Sequence, residues 1–286
     1  NSMIKGSCIY DENANFQYTG VTLNPKYTDP EQYNVIISYT KTKDDELSVK
    51  LTGGNADGTI LRFAIGKTGH PGCQIESLLF EDENLDAAIY NDLTTKYGKS
   101  ITYLERVPRI ININQAVISK VTEFNLQHTS SDANTKIQNL AGLENFYNLV
   151  TLYLQDNNVN SINPLATCTK LQNLLLANNP NLGNNNSSIQ NMKVLTNLDL
   201  SNTGMTNIDS INNLTQNLKQ KTTLVILNIS DNGLNNIDGI EQITTLQKLY
   251  IANEKLNDEK IAKIANLTSL STLNINGNQI NDISII

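Results

Sequence analysis

The stretch LSTLNINGNQINDI, residues 270–283, decides the fold of this 286-residue chain. Its first three apolar residues are Leu270, Leu273 and Ile275, and Asn278 follows three positions after Ile275. The same pattern begins five times earlier, at Leu149, Leu171, Leu195, Leu224 and Leu246, and a degenerate copy occupies Val121, Phe124 and Leu126. Successive copies start 28, 22, 24, 29, 22 and 24 residues apart. One repeated unit therefore sets the architecture of residues 121–286.

Each copy predicts a short strand followed by a return turn. Alternate residues of a strand point to the same side, so Leu152 and Leu154 point together into a core. Each such side chain stabilises the fold by roughly 1.5–3 kcal/mol when buried, but a single repeat cannot enclose it, so the copies must stack. The pattern predicts an α/β leucine-rich-repeat solenoid, right-handed, with short parallel strands on its concave face. About seven repeats are expected, the last of them truncated.

The asparagine that closes most copies predicts a second structural feature. Its amide both donates and accepts, so a column of such residues can satisfy backbone groups of neighbouring turns. Thr203 and Glu254 stand at this position in two copies. The sequence predicts local distortion of those two turns.

A helical N-terminal cap is predicted for residues 75–120, because the apolar end of a solenoid must be covered. The acidic run at residues 81–83 suits a helix N-terminus, and Lys96 suits its last turn. Between them Leu85, Ile89 and Leu93 recur at helical spacing.

The string FEDENLDAAI, residues 80–89, and the repeats that follow it resemble the helical cap and 22-residue repeats of internalin-type bacterial proteins. Residues 270–283 also resemble that family closely. The resemblance covers residues 75–286. It implies a secreted or cell-surface bacterial protein whose concave face binds a partner. The irregular repeat lengths and the degenerate first copy depart from the family pattern, and they leave the identity of the partner open.

Residues 1–74 predict a small antiparallel β module, similar to bacterial immunoglobulin-like modules. Apolar and polar residues alternate over residues 33–39 and 47–51, a turn at residues 43–45 separates them, and glycine-containing turns follow residue 51. A β-rich extension of the cap is the alternative. Cys8 and Cys73 belong to this region and either form a bridge in an oxidising compartment or remain free thiols. Cys168 is expected to be a small buried residue of the repeats.

The outward-facing strand positions predict a partner-binding surface. The central column holds Asn125, Tyr153, Leu175, Asp199, Asn228, Tyr250 and Asn274, and Gln155 stands in the next column. A solvated face needs polar residues, so Tyr153, Leu175 and Tyr250 are the exceptions. Exposed tyrosines are favoured interface anchors, although scattered apolar side chains on a surface need no function.

Composition narrows the function classes. A net charge of −7 argues against nucleic-acid and anionic-membrane partners, and no stretch approaches the ~20 apolar residues of a membrane span. The two histidines lie far apart, and none of the three cysteines has CxxC spacing. We therefore expect no enzymatic activity, no cofactor and no metal.

The sequence favours non-enzymatic recognition of a protein or glycan by a secreted or cell-surface chain. Two alternatives are an intracellular scaffold or regulatory subunit and the recognition arm of a larger enzyme. The chain is expected to be monomeric. Edge-to-edge association is the alternative, because no cap follows the final predicted repeat.

Overall fold

The computed structural model describes residues 73–97, 101–104, 110–216 and 222–286, and before residue 73 it describes five strands. The chain divides into two compact units, Asn1–Lys120 and Val121–Ile286.

The described part of the first unit contains antiparallel β-structure and two helices. Strands β3 (Ile36–Lys43), β4 (Glu46–Thr52) and β5 (Ile60–Ala64) form one sheet in that order. A second sheet has the order β2-β1-β6-β8-β7, with β1 Met3–Tyr10, β2 Phe16–Thr22, β6 Cys73–Leu79, β7 Ile101–Leu104 and β8 Ile110–Asn114. Apart from these strands, the immunoglobulin-like module predicted for residues 1–74 lies outside the described residues.

The register of β1 against β6 bears on the two N-terminal cysteines. These strands pair antiparallel, and Cys8 stands opposite Cys73. Residues that face each other across an antiparallel pair are close enough to interact. The bridge between these cysteines stays a prediction, and the register supplies the proximity it would need.

Helix α1 (Glu83–Tyr97) is present where the sequence predicts it. The Asp82 carboxylate accepts hydrogen bonds from the backbone N–H groups of Asn84 (2.9 Å) and Leu85 (3.0 Å), so it caps the N-terminus. Leu85, Ile89 and Leu93 are fully buried, as their spacing predicts. A second, four-residue helix, α2, spans Gln115–Ile118.

The second unit is built on a seven-stranded parallel sheet. Its strands follow one another in chain order as β9 Glu123–Asn125, β10 Thr151–Tyr153, β11 Asn173–Leu175, β12 Asn197–Asp199, β13 Ile226–Asn228, β14 Lys248–Tyr250 and β15 Thr272–Asn274. Every strand has three residues, and every pair is in register, so Leu152 faces Phe124 on one side and Leu174 on the other. The predicted leucine-rich-repeat fold with short parallel strands is confirmed, and the degenerate copy forms a full strand.

Short helical segments return the chain from one strand to the next. Two are α-helices, α3 (Asp209–Gln216) and α4 (Asp258–Ile261). The others are single 3-10 turns at Ala133–Thr135, Leu143–Asn145, Asn163–Thr167, Ser187–Asn191, Ile240–Gln242, Ala262–Asn266 and Ile283–Ile285. Helix α3 lies in the long segment between β12 and β13, and residues 217–221 lie outside the described residues.

The core lies between the sheet and these return segments. The repeat leucines that point inward, such as Leu152, Leu174 and Leu198, are fully buried. Cys168 is also fully buried, and burial raises the pKa of its thiol to about 11. Its Sγ lies 3.6 Å from the carbonyl oxygen of Phe146, so this cysteine is an inert part of the core, as the sequence predicts.

The residues that close the repeats form a ladder, which we call the buried ladder although Asn232 and Asn278 are half-buried; its members are Asn157, Asn179, Thr203, Asn232, Glu254 and Asn278. Asn179 shows the pattern: its Nδ2 donates to the carbonyl oxygens of Leu154 (2.9 Å) and Leu176 (2.8 Å), and its Oδ1 accepts from the N–H of Val159 (2.9 Å). One side chain therefore joins consecutive repeats and satisfies backbone groups that have no water to bond with.

The residue before each ladder position has a left-handed backbone. The φ angles of Asp156, Asn178, Asn202, Asp231 and Asn253 lie between 51° and 65°, and Gly277 has 70°. Asparagine, aspartate and glycine are the residues that adopt this conformation at low cost. At Gly277 a Cβ atom would also collide with the Asn253 side chain.

The predicted distortion at Thr203 and Glu254 is wrong. Their turns keep the left-handed geometry of the others, with φ 51° at Asn202 and 57° at Asn253. Only the hydrogen bonds change. The Thr203 hydroxyl donates to the carbonyl oxygen of Leu200 (2.8 Å), whereas the Glu254 carboxylate accepts from the N–H groups of Asn232 (2.9 Å) and Leu234.

Glu254 is a carboxylate in a ladder of neutral side chains. It is 3% exposed, and burial raises its pKa, while the N–H groups of residues 232–234 act in the opposite direction. Because the pKa of Glu254 is higher in the folded chain than in the unfolded chain, the protonated carboxyl group contributes stability. This contribution is fully present at pH values below the unfolded-state pKa, near 4.5. It is lost as the pH rises through the folded pKa.

We expect Glu254→Asn to stabilise the repeats at neutral pH by about 1 kcal/mol, because an asparagine keeps one acceptor and introduces no buried charge. Melting temperatures measured across the acidic range would show the stability falling less with rising pH in the variant. Glu259→Gln removes one charge at a side chain that is 79% exposed, so it serves as the control and should leave the slope unchanged. Identical slopes for Glu254→Asn and the parent would contradict the prediction.

Candidate partner-binding surface

The sheet brings the predicted surface residues together in one line. Asn125, Tyr153, Leu175, Asp199, Asn228, Tyr250 and Asn274 pair directly from strand to strand. We call this line the middle row. Neighbouring strands lie about 4.8 Å apart, so adjacent side chains in the row touch or nearly touch. Gln155 lies two residues after Tyr153 and belongs to the following row: Gln127, Gln155, Ala177, Ser201, Ser230, Ala252 and Asn276.

The middle row is open to solvent along its length. Asn125 is exposed, and its other six members are half-buried. Tyr153 and Leu175 are direct neighbours, so they form one apolar patch, whereas Tyr250 lies three strands beyond Leu175. The row is therefore polar with two separate apolar positions.

Most polar members of the middle row have a backbone role that the sequence does not suggest. The side-chain oxygen of Asp199 accepts the N–H of Ser201 at 2.9 Å, and Asn228 does the same for Ser230 at 3.2 Å. Asn274 serves Asn276 at 3.1 Å and Asn125 serves Gln127 at 3.3 Å. These four residues stabilise the end of their own strand, so their presence does not in itself indicate binding.

Small side chains fill the centre of the following row. Ala177 is half-buried, and Ser201, Ser230 and Ala252 are 9%, 6% and 7% exposed. The side chains of the middle row are therefore accessible from this direction.

One further apolar residue lies on the same face but outside the middle row. Ile226, two residues before Asn228, is half-buried and stands in register with Asn197 and Lys248. The alternation of strand residues places Ile226 on this face, but outside the central column that the sequence predicts as the binding surface.

The polar loop after β9 is held by its own side chains. His128 Nε2 lies 3.1 Å from the carbonyl oxygen of Asp132 and 2.9 Å from Thr135 Oγ1. The Asp132 carboxylate accepts the N–H of Asn134 at 2.9 Å. Histidine and aspartate in this loop therefore have structural partners and do not form a catalytic pair.

Metal chemistry has no candidate in the part of the chain that the structure describes, where no three metal-ligating side chains cluster. Among the same residues, no helix is both long and apolar enough to cross a membrane.

A solved structure shares this architecture. Internalin C2 from Listeria monocytogenes superposes with a TM-score of 0.53 at 26% sequence identity, over 71% of this chain and 92% of that protein. The chain has an internalin-like leucine-rich-repeat fold. The resemblance predicted from residues 80–89 and from the repeats is confirmed.

Two further structures are similar at lower scores. A leucine-rich-repeat protein from Leptospira interrogans gives a TM-score of 0.43 at 26% identity over 50% of this chain, which spans 35% of that protein. A second Listeria monocytogenes internalin gives 0.39 at 22% identity, over 72% of each chain. No protein-family model and no curated protein sequence matches this internalin-like chain.

Proposed function

We propose that this internalin-like chain is a non-enzymatic recognition protein whose middle row binds another protein. The observation that carries the proposal is the position of Tyr153, Leu175 and Tyr250, three large side chains that are kept half-exposed in a row of polar residues. Tyrosine is among the residues that supply most of the binding energy in interfaces, whereas many of the residues around such anchors contribute little.

The dimensions of the row suit a protein partner. Tyr153 and Tyr250 stand four strands apart, roughly 19 Å at a spacing of about 4.8 Å per strand. A folded surface or an extended segment can contact both ends at once. A protein is favoured over a glycan because Leu175 offers an aliphatic contact beside Tyr153, and burying aliphatic surface stabilises protein interfaces.

We also propose that the chain acts outside the bacterial cytoplasm, as a secreted or cell-surface protein, and that it is a monomer. Its similarity to an internalin fold supports this location. Fractionation of the native host, followed with an antibody against the repeats, tests it. A signal confined to the cytoplasm would favour the intracellular scaffold instead.

Tyr153→Ala and Tyr250→Ala are each expected to weaken partner binding at least tenfold, because an anchoring tyrosine contributes about 2 kcal/mol or more. Immobilised chain would capture partners from secreted and cell-surface proteins, and the captured protein would then be titrated against each variant. Tyr147→Ala is the matched control, since Tyr147 is 40% exposed but precedes β10 in a turn outside the strands. Binding that is equally strong to the parent and both variants would refute the role of the middle row.

A further inference from the structure

The backbone N–H groups of the following row, which runs from Gln127 to Asn276, have too few backbone acceptors. The carbonyl oxygen of Leu126 accepts Asn157 Nδ2 at 2.8 Å, and that of Leu154 accepts Asn179 Nδ2 at 2.9 Å. In a parallel sheet these carbonyls would otherwise accept from the next strand. The buried ladder therefore takes the acceptors that the backbone N–H groups of the following row would use.

Side chains restore an acceptor in five of the seven repeats. The N–H groups of Gln127, Ser201, Ser230 and Asn276 donate to the asparagine or aspartate of their own middle-row position. The N–H of Ala252 donates to Ser230 Oγ at 3.0 Å, because its own middle-row residue, Tyr250, has no oxygen within reach.

The two remaining N–H groups belong to Gln155 and Ala177. Their middle-row residues are Tyr153 and Leu175, and within the described residues neither N–H has an acceptor. By equivalence with the other repeats, both N–H groups point to the place where the oxygens of Asp199 and Asn228 lie in their own strands. Two adjacent donors are thus directed beside the apolar patch of Tyr153 and Leu175.

A second observation comes from the Gln155 side chain. Its Oε1 is enclosed and has no hydrogen-bond donor among the described residues. An enclosed acceptor without a donor destabilises the unbound protein. Because Oε1 has no donor, it gives up no hydrogen bond when the carboxamide turns toward a ligand. Gln155 therefore supplies one backbone donor and a carboxamide oxygen that can turn toward a ligand, and Ala177 supplies the second backbone donor.

We propose that Gln155 and Ala177 form a subsite for the main chain of a peptide segment of the partner protein. Peptide carbonyl oxygens accept from the two N–H groups, a peptide N–H meets the Gln155 carboxamide, and an aliphatic side chain lies against Tyr153 and Leu175. The existence of this subsite rests on the proposed recognition function, and the group of the partner that it binds is a main-chain peptide group.

A neutral peptide group suits this subsite better than a carboxylate. Asp156 follows Gln155 directly, and Asp199 pairs with Leu175 on the neighbouring strand. Both repel an anion, while a carbonyl oxygen carries no net charge. The donors lie about 4.8 Å apart, one strand spacing, so each can serve a separate acceptor.

Titration of the uniformly ¹⁵N-labelled chain with N-acetyl-leucine N-methylamide tests the proposal. The amide protons of Gln155 and Ala177 should move downfield as they form hydrogen bonds, while those of Ser201 and Ser230, which already have acceptors, stay in place. Sodium acetate at the same concentration should produce a smaller response. Equal shifts along the whole following row, or none at Gln155 and Ala177, would overturn the proposal.

Substitutions can close or extend the subsite. The double variant Tyr153→Asn, Leu175→Asn introduces the internal acceptors found at Asn228, so the affinity for the capped leucine should fall about tenfold or more. Asp199→Leu should free the N–H of Ser201 and add its signal to the response. Lys248→Asn changes an exposed residue of the same face outside both rows and should leave the response as in the parent. A double variant that responds like the parent would also overturn the proposal.

The outcomes separate this subsite from the proposed function. If the capped leucine produces no response while Tyr153→Ala still abolishes partner capture, the row binds a protein without this peptide subsite. If partner capture is unaffected by Tyr153→Ala and the amide shifts are also absent, both proposals fail.

Discussion

Replacing Asn179 with alanine is expected to lower the free energy of unfolding of the repeats by about 3 kcal/mol. Asn179 is fully buried, and its side chain bonds four backbone groups, of which the Ala177 carbonyl oxygen also accepts the N–H of Asp156. Leu154 O keeps a second donor, Asn157 Nδ2 at 3.0 Å. The N–H of Val159 and the carbonyl oxygen of Leu176 lose their ladder partner, and each buried group left unsatisfied costs about 1–3 kcal/mol.

The measurement is urea unfolding followed by circular dichroism, since the chain has no tryptophan. Asn181→Ala is the matched control, because Asn181 is exposed and makes no hydrogen bond among the described residues. It should change the unfolding free energy by less than about 0.5 kcal/mol. Equal midpoints for Asn179→Ala and Asn181→Ala would show that the ladder is not a source of stability.

A loss of about 3–5 kcal/mol is expected for Phe146→Ala, from the cavity and from lost aromatic contact. Phe146 is fully buried, and its ring meets that of Phe124 edge-on, with centroids 4.8 Å apart and planes at 87°. Phe124 lies in the strand of the degenerate first copy and Phe146 in its return segment, so this contact closes the core of that copy.

The adjacent residue supplies the control for this substitution. Tyr147 is 40% exposed, and Tyr147→Ala should cost about 1 kcal/mol or less in the same unfolding experiment. If Phe146→Ala unfolds at the same urea concentration as Tyr147→Ala, the aromatic contact does not stabilise the first repeat.

The repeat pattern predicts the strands and the middle row because both follow from one periodicity. Once Leu152 and Leu154 are assigned to the core, Tyr153 must face the other side, and stacking brings it beside Leu175. The same reasoning finds all seven members of the row, including Asn125 of the degenerate copy.

The hydrogen-bond roles could not be predicted in the same way. That Asn228 accepts the N–H of Ser230 depends on the ladder amide of Asn232 occupying the carbonyl oxygen of Leu200, and this is a property of neighbouring repeats together. The tolerance for Glu254 has a similar origin, because the turn at residues 232–234 presents several N–H groups to one carboxylate. The sequence pattern of a single repeat therefore predicts neither the acceptor role in the middle row nor the tolerance for Glu254.

The acceptor roles in the middle row also limit how this surface can change during evolution. An aliphatic or aromatic residue would leave a backbone N–H without an acceptor at four positions: Asn125, Asp199, Asn228 and Asn274. Selection for a stable fold therefore favours asparagine or aspartate there. The side chains of Tyr153, Leu175 and Tyr250 accept no such backbone hydrogen bond. Substitutions at these three positions can therefore change the binding specificity of the surface without leaving a further backbone N–H unpaired.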